Sequence, residues 1–224
     1  MSSRDTTLKL LKSQALLPLF YHDSDLISIQ IVKAIYKGGG RLIEYTNRGS
    51  NALKNFSTLR KLVNDELPGM ELGVGTIRTL KDAESFVDAG ADFVVCPVIN
   101  KEIANLIHQH RLLWIPGCIT PTEIDAAEQA GASLVKIFPG NLLGPSYLLA
   151  IKEIFPDLLF MPTGGVEPTI ENLKSWFEAG VFAVGLGSKL INHECIIAEQ
   201  YELLEKRTHD LLALINTIKL SGNV

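Results

Sequence analysis

A single lysine stands inside an apolar run, Leu134 to Phe138, which ends at Pro139-Gly140. Such a run followed by Pro-Gly is typical of a buried strand and the turn that ends it. Burial disfavours the ammonium form, and a lowered pKa would leave a neutral amine able to attack a carbonyl. Lys136 is therefore a candidate Schiff-base nucleophile. The alternative is a structural lysine on an edge strand whose charged end reaches water.

A lone acid occupies a second apolar run, Leu42 to Thr46. Side chains alternate along a strand, so Glu44 and Thr46 share one face, and Arg48 follows just past the end. A carboxylate in this setting is either paired structurally with a basic neighbour or kept as an acid/base group. The sequence leaves both interpretations open for Glu44.

Glycine-rich turns follow two late apolar runs, at Thr163-Gly164-Gly165 and at Gly187-Ser188. Exposed backbone N–H groups and helix N-termini bind anions, and (β/α)8 barrels often build a phosphate site after their seventh and eighth strands. We expect a phosphate site at these turns. At the end of an earlier run, Gly75-Thr76 would let backbone approach a ligand and would add a hydroxyl.

The elements that position these residues are short strands alternating with amphipathic helical stretches. The predicted strands are Leu17–Tyr21, Leu42–Thr46, Glu71–Val74, Phe93–Cys96, Leu112–Ile115, Leu134–Phe138, Leu158–Met161 and Phe182–Leu186. Continuously apolar strands joined by helices favour parallel pairing, and eight such units in 224 residues favour an α/β fold closed as a (β/α)8 TIM barrel. The alternative is an open doubly wound sheet, but the turn after the first strand has no Gly-rich dinucleotide fingerprint.

Helical additions are expected at both ends of a single domain spanning residues 1–224. Asp5–Ala15 should be an extra N-terminal helix covering the barrel bottom, and His193–Lys219 should be a long helical tail on the outside. Thr120 and Glu123 have the spacing of a capping box and are interpreted as helix punctuation rather than chemistry.

Composition excludes several classes of function. The net charge of −4 comes without a basic block, so nucleic acid is not an expected partner. No apolar run is long enough to span a bilayer, and we expect a cytoplasmic protein without membrane contact. Three cysteines and five histidines are too sparse and scattered for a disulfide framework or a metal site. The cysteines are interpreted as small buried hydrophobes, and His22 as a loop residue, with a place in the site lining as the alternative.

Taken in order, the motifs resemble those of a known family. They are Glu44-x-Thr46-x-Arg48, Gly73-x-Gly75-Thr76, Cys96-Pro97, Ile115-Pro116-Gly117, Val135-Lys136-Ile137-Phe138-Pro139, Pro162-Thr163-Gly164-Gly165-Val166 and Gly185-x-Gly187-Ser188. From about Leu17 to Ile191 the chain resembles the 2-keto-3-deoxy-6-phosphogluconate aldolases, also called 4-hydroxy-2-oxoglutarate aldolases. The lysine strand and the Pro-Thr-Gly-Gly turn are the most specific elements.

The resemblance implies a class I aldolase on a (β/α)8 barrel, a homotrimer that uses neither metal nor cofactor. Its substrate would be a keto acid sugar phosphate, cleaved to pyruvate and glyceraldehyde 3-phosphate, with 4-hydroxy-2-oxoglutarate as a further substrate. Carried onto matching positions, the resemblance makes Lys136 the Schiff-base lysine and Glu44 the general acid/base. The substrate-binding residues would be Arg48, Thr76 and Thr163 at the pyruvyl carboxylate, Pro97 beside them, and Gly164, Gly165, Gly187 and Ser188 around the phosphate.

Three departures concern substrate preference. The first strand ends in Leu19-Phe20-Tyr21-His22 where many relatives carry a basic residue, Cys96 stands where serine is common, and Lys189 adds a cation after the phosphate turn. Alternatives are an aldolase for the 6-phosphogalactonate epimer or another 4-hydroxy-2-oxo acid, and a non-catalytic sugar-phosphate-binding barrel. A phosphate-binding isomerase or synthase is a further alternative, although the metal ligands it would need are not evident.

Overall fold

The computed structural model describes residues 3–221, with nineteen helices and strands. In chain order they are α1 Ser3–Gln14, β1 Leu16–Phe20, α2 Asp25–Lys37, β2 Leu42–Thr46, α3 Ala52–Glu66, β3 Glu71–Gly75, α4 Leu80–Asp88, β4 Phe93–Val95, α5 Lys101–Gln109, β5 Leu113–Ile115, β6 Gly117–Cys118, α6 Pro121–Gln129, β7 Leu134–Ile137, α7 Gly140–Ile154, β8 Leu159–Pro162, α8 Ile170–Glu178, β9 Val184–Leu186, α9 His193–Ile197 and α10 Tyr201–Ser221.

All strand pairs are parallel, and together they form a curled α/β fold. A six-stranded sheet has the order β5-β4-β3-β2-β1-β9, and a three-stranded sheet has the order β6-β7-β8. The sheets meet at both ends: Pro116 connects β5 directly to β6, and an isolated bridge pairs Thr163, just after β8, with Gly185 of β9.

The predicted strands are all present, with shifts of one or two residues at most ends. The predicted fifth strand, Leu112–Ile115, is observed as β5, but a further two-residue strand, β6, follows Pro116. Proline has no N–H to donate to a ladder, which explains the interruption. The longest continuous sheet therefore has six strands, not the eight predicted. The predicted last strand begins at Phe182, whereas β9 begins at Val184.

Apolar side chains form two layers. The larger cluster lies between the strands and the surrounding helices, and includes Phe56, Trp114 and Trp176. The smaller cluster is enclosed by the strands, and its members come from both sheets: Leu17, Leu42, Phe93, Val95, Leu113, Ile115, Leu134 and Met161, together with Leu11 of α1 and Ala183. A shared inner core holds the two sheets together.

The helical additions differ from the prediction in one respect. The N-terminal helix is present as α1, which packs against β1, β2 and β5. The predicted single tail His193–Lys219 is two helices instead, because the chain turns at Glu199, whose φ of 52° lies in the left-handed region. The capping box of Thr120 and Glu123 is confirmed. Within residues 3–221, no helix is both long and apolar enough to cross a membrane.

Candidate active site

Glu44 lies in the middle of β2 with its side chain on the inner face of the curled sheet, near Lys136. It is 1% exposed, and neither carboxyl oxygen has a hydrogen-bond partner within the described residues. Burial raises the pKa of Glu44, and the nearby charges of Lys136 and Arg48 partly offset that rise. The carboxyl group therefore keeps both oxygens free to accept a proton.

A glycine on the neighbouring strand makes room for this carboxyl. A Cβ built on Gly75 at the end of β3 would fall 1.7 Å from Glu44 Oε1. Real atoms cannot approach so closely, so a side chain at this position would displace the carboxylate. Gly75 of the Gly73-x-Gly75-Thr76 motif therefore makes room for the carboxyl group of Glu44 rather than contacting a ligand directly.

Lys136 lies in β7, paired with Gly117 on one side and Met161 on the other. It is 7% exposed, and its Nζ is 5.2 Å from the ring centroid of Phe138. Its charge acts on both Glu44 and Cys96, so the amine faces the enclosed side of the strands. The alternative of an edge-strand lysine reaching water is wrong, because β7 has a partner on each side.

A cavity of about 460 Å³ opens at the carboxyl ends of the strands. Its lining includes Thr46, Arg48, Thr163, Gly164, Gly165, Gly187 and Ser188. Parallel strands present their carboxyl ends at one edge, where barrel enzymes bind their substrates. Lys136 and Glu44 are buried and do not line this cavity. Phe138, which lies against the amine of Lys136, does.

Backbone N–H groups at two turns face no protein acceptor. That of Gly165, with a φ of 75°, makes no hydrogen bond within the described residues, and neither do those of Ser188 and Lys189. The N–H of Gly164 instead faces the carbonyl of Gly185 across the Thr163–Gly185 bridge. The second turn is fixed because the carbonyl of Gly187 accepts from Leu190 and Ile191. Such unpaired donors form an anion-binding concavity. The helices that follow these turns, α8 and α9, begin farther along the chain at Ile170 and His193, so the donors at the turns are those of the loops.

Thr163 lies between β7 and the cradle formed by the turns Gly164–Gly165 and Gly187–Ser188. It is 6% exposed, and its hydroxyl oxygen has no hydrogen-bond partner in the described part of the chain. A Cβ on Gly185 would be 2.3 Å from this oxygen. Thr163 lines the cavity, and its buried hydroxyl has an unused hydrogen-bonding capacity beside it.

Two predicted binding residues lie outside the cavity lining. Thr76 follows β3 and is half-buried with a φ of 62°, and Pro97 follows β4, where its carbonyl lies against Gly117. Both are at the same edge of the sheet as the cavity. His22 does not line the cavity either: its Nδ1 accepts a hydrogen bond from the N–H of Ser24, so it organises the loop after β1.

An apolar wall of the cavity was not predicted. Leu19, Phe20 and Tyr21 contribute from the first strand and its end, and Ile191 and Ile196 from the region after β9. The period-two rule, applied from Lys136, could have indicated Phe138. Ile196 could not be placed because its position depends on the break between α9 and α10.

Charged and sulfur-bearing neighbours complete the surroundings. Arg48 is exposed at the cavity, and Lys189 lines it while forming an ion pair with Glu167 at 2.9 Å. The three cysteines are buried, as predicted, and burial raises the pKa of the Cys96 thiol to about 12. Cys96 is therefore a neutral thiol beside Lys136. No group of three metal-ligating side chains is found among residues 3–221.

Comparison with known proteins gives a consistent result. Residues 8–207 match the family model described as KDPG and KHG aldolase. The 2-dehydro-3-deoxy-6-phosphogalactonate aldolase of Escherichia coli K12 is 37% identical over 120 residues, which span 53% of this chain and 58% of that protein. The 2-dehydro-3-deoxy-phosphogluconate aldolase of Treponema pallidum is 30% identical, covering 85% of this chain and 89% of that protein.

A solved structure supports the same assignment. The KDPG aldolase of Legionella pneumophila, with pyruvate captured as a covalent carbinolamine intermediate, is 25% identical. The match covers 91% of this chain and 97% of that one, with a TM-score of 0.79. The chain belongs to the KDPG and KHG aldolase family, whose members are class I pyruvate aldolases and therefore lyases.

Proposed function

We propose that this protein cleaves 2-keto-3-deoxy-6-phosphogluconate to pyruvate and glyceraldehyde 3-phosphate through a Schiff base on Lys136. The observation that carries the proposal is the buried pair of Lys136 and Glu44 beneath a cavity rimmed by unpaired N–H groups. A buried amine beside an unpaired carboxyl supplies a nucleophile and a proton acceptor at one place.

The reaction can be written with these two groups. The neutral amine of Lys136 attacks the C2 ketone and loses water to form an iminium. Glu44 takes the proton of the C4 hydroxyl, the C3–C4 bond breaks, and its electron pair moves to the iminium nitrogen to give an enamine. The aldehyde leaves, the enamine is protonated at C3, and water releases pyruvate and the free amine. The iminium is the electron acceptor, so these steps call for no cofactor.

The other site residues are assigned by position. Arg48 and Thr163 bind the pyruvyl carboxylate, with Thr76 and Pro97 nearby at the same edge of the sheet. The N–H groups of Gly165 and Ser188, with the Ser188 hydroxyl and the turns at Gly164 and Gly187, hold the phosphate.

Trapping with borohydride tests the chemistry directly. Incubation with pyruvate and borohydride should attach one reduced pyruvyl group to the peptide that contains Lys136. Lys136→Ala should abolish both trapping and turnover. Lys189→Ala is the matched control, since Lys189 also lines the cavity but is expected to leave trapping intact. Modification at any other lysine in the wild type would rule out the proposed mechanism.

A second candidate substrate is the 6-phosphogalactonate epimer, which the similarity to the Escherichia coli phosphogalactonate aldolase favours. Its cleavage would use the same lysine, carboxyl and cradle. Comparing kcat/KM for the two phosphorylated epimers and for 4-hydroxy-2-oxoglutarate decides the preference. A higher kcat/KM for either of the latter two would replace our first choice.

The finer architecture is part of the proposal. We infer that the two sheets close as one (β/α)8 barrel, in which β5 and β6 together count as one strand. The shared inner core and the Thr163–Gly185 bridge support closure, as does the hydrogen bond of 2.9 Å from Phe182 N to Phe160 O. Residues 1–224 would then form a single domain.

Assembly and location follow from the resemblance. We propose a homotrimer, for which the exposed apolar side chains of α7, Leu142, Leu149 and Ile154, offer additional support. Light scattering after gel filtration should give three times the chain mass of 24.6 kDa. We also propose a cytoplasmic location, which cell fractionation would test.

A further inference from the structure

A second cavity adjoins the proposed phosphate cradle. It has a volume of about 510 Å³ and lies between the turn after β9 and helix α10. Ser188 and Lys189 line both cavities, while Asn192 and Arg207 line only the second. The two cavities therefore share a wall made by the turn that follows β9.

The charges around the second cavity do not balance. Lys189 is paired with Glu167, and Asp210 is paired with Lys206. Arg207 is half-buried on α10 and makes no ion pair or hydrogen bond with any of the described residues. Asp210 also lines this cavity, but its carboxylate is paired with Lys206, so the unpaired guanidinium of Arg207 offers a planar set of donors suited to an oxyanion.

The remaining lining residues indicate the chemical character of the rest of the ligand. Asn192 Oδ1 caps α9 by accepting from the N–H of Cys195, which leaves its amide NH₂ available as a donor. Pro168, Leu190, Leu211 and Leu214 supply an apolar surface. A cavity with a few polar groups on an apolar lining is suited to a small organic molecule.

We propose that this cavity is a second binding site for a small organic oxyanion, a phosphate monoester or carboxylate joined to an apolar group. Arg207 binds the anionic group, Asn192 donates to it, and the leucines contact the apolar part. The binding site stands on its own geometry, whereas its effect on the reaction rests on the proposed function.

Occupation of the second site should weaken binding of phosphorylated substrate. The two anions would lie on either side of the same turn and would repel each other. Coupling of binding is reciprocal, so phosphorylated substrate should weaken the second ligand by the same factor. An unphosphorylated substrate would place no charge in the cradle and should not be affected through this route.

Calorimetric titration of the full-length protein with phenyl phosphate tests the site. We expect two binding events per chain in the wild type, one in the cradle and one at Arg207. Arg207→Ala should weaken the second event at least about tenfold, since a hydrogen bond to a charged group is lost. Lys61→Ala is the control, because Lys61 is exposed on α3 and lines neither cavity. Benzoate in place of phenyl phosphate shows whether a carboxylate suffices.

A single binding event in the wild type would overturn the proposal, and so would two unchanged events in both Arg207→Ala and Arg207→Gln. The second variant guards against a folding defect peculiar to the first. Inhibition kinetics give an independent measurement. In the wild type the apparent KM for phosphorylated substrate should show the linear rise expected from competition in the cradle and, added to it, an increment that saturates as the second site fills. That increment should shift to higher phenyl phosphate concentration in Arg207→Ala. The titration does not depend on turnover. Failure to trap pyruvate on Lys136 would therefore contradict the proposed aldolase reaction and leave the second binding site unaffected.

Discussion

At the scale of single residues, the carboxyl group of Glu44 carries the first prediction. Glu44→Gln keeps the shape but cannot accept the C4 hydroxyl proton, so kcat/KM should fall by about 10²- to 10⁴-fold. Steady-state cleavage assays across pH measure it. Burial raises the pKa of Glu44 above its ordinary value of 4.5, so the wild-type acid limb should lie above that pH. A near wild-type rate for Glu44→Gln would remove Glu44 from the mechanism.

The same raised pKa has a consequence for stability. Between 4.5 and the raised value, the folded state holds a proton that the unfolded state has lost, so the free energy of unfolding falls as pH rises. Glu44→Gln should therefore be more stable than the wild type at pH 8, and the difference should vanish near pH 4. Urea denaturation at the two pH values checks the sign.

Ser188 carries the second residue-scale prediction. Ser188→Ala removes a hydroxyl at the cavity rim and should raise KM for phosphorylated substrate about tenfold, roughly the worth of one hydrogen bond to a charged group. KM for 4-hydroxy-2-oxoglutarate should stay unchanged. Ser13→Ala, an exposed serine on α1, is the control. If both substrates suffer alike, the phosphate assignment is wrong.

The sequence indicated the site residues that interrupt an apolar run, and it did not indicate the site residues that continue one. Lys136 and Glu44 were visible because a charge in an apolar strand is costly. Phe20, Ile191 and Ile196 line the cavity, yet nothing in an apolar residue type distinguishes a cavity wall from a core. Their role depends on where the loops place them, which local pattern does not encode.

At the scale of elements, the pairing of β2 with β3 makes Gly75 a support for Glu44. Gly75→Ala would insert a methyl group into the space of the carboxylate, 1.7 Å from Oε1. Activity should fall by at least about tenfold while the fold persists, because a displaced catalytic group costs rate steeply. Cleavage assays and circular dichroism together measure both outcomes.

Gly69→Ala provides the matched control. Its φ of 78° disfavours alanine, but no atom lies within 4 Å of the new methyl group. This variant should lose about 1 kcal/mol of stability and keep its activity. Equal activity losses in the two variants would mean that backbone strain, not displacement of Glu44, explains the effect at Gly75.

Element types were predictable where caps and periodicity agree, as at Thr120 and α6. Two breaks were not. A short strand, β6, resumes after Pro116, where the predicted fifth strand had ended at Ile115. Glu199 divides the C-terminal tail although its sequence lacks the glycine that usually marks such a turn.

At the scale of the whole molecule, the two ends of the strands have different tasks. The C-terminal ends carry the proposed site, and the N-terminal ends are covered by α1. β3 connects them, from Glu71 at one end to Gly75 beside Glu44 at the other, about 13 Å apart. In barrel proteins, residues at the N-terminal face contribute to stability rather than to catalysis.

Glu71 tests this division. Burial raises its pKa to about 7 and Asp92 adds to the rise, against a hydrogen bond from Thr7 and the charge of Arg60. The folded state therefore keeps a proton between about 4.5 and 7 that the unfolded state loses, and the free energy of unfolding falls across that interval. Glu71→Gln removes this cost. We expect a gain of about 1 kcal/mol at pH 8, after discounting for the water that reaches the half-buried carboxyl, and none near pH 4.

The same variant should leave kcat/KM unchanged at every pH, because Glu71 lies at the end of β3 opposite the cavity. Urea denaturation at pH 4 and pH 8, paired with cleavage assays, separates the two effects. Glu84→Gln, an exposed acid on α4, is the control and should change neither quantity. A drop in kcat/KM for Glu71→Gln would mean that β3 couples its two ends. In that case the end of β3 that affects stability and the end that affects catalysis could not be varied independently.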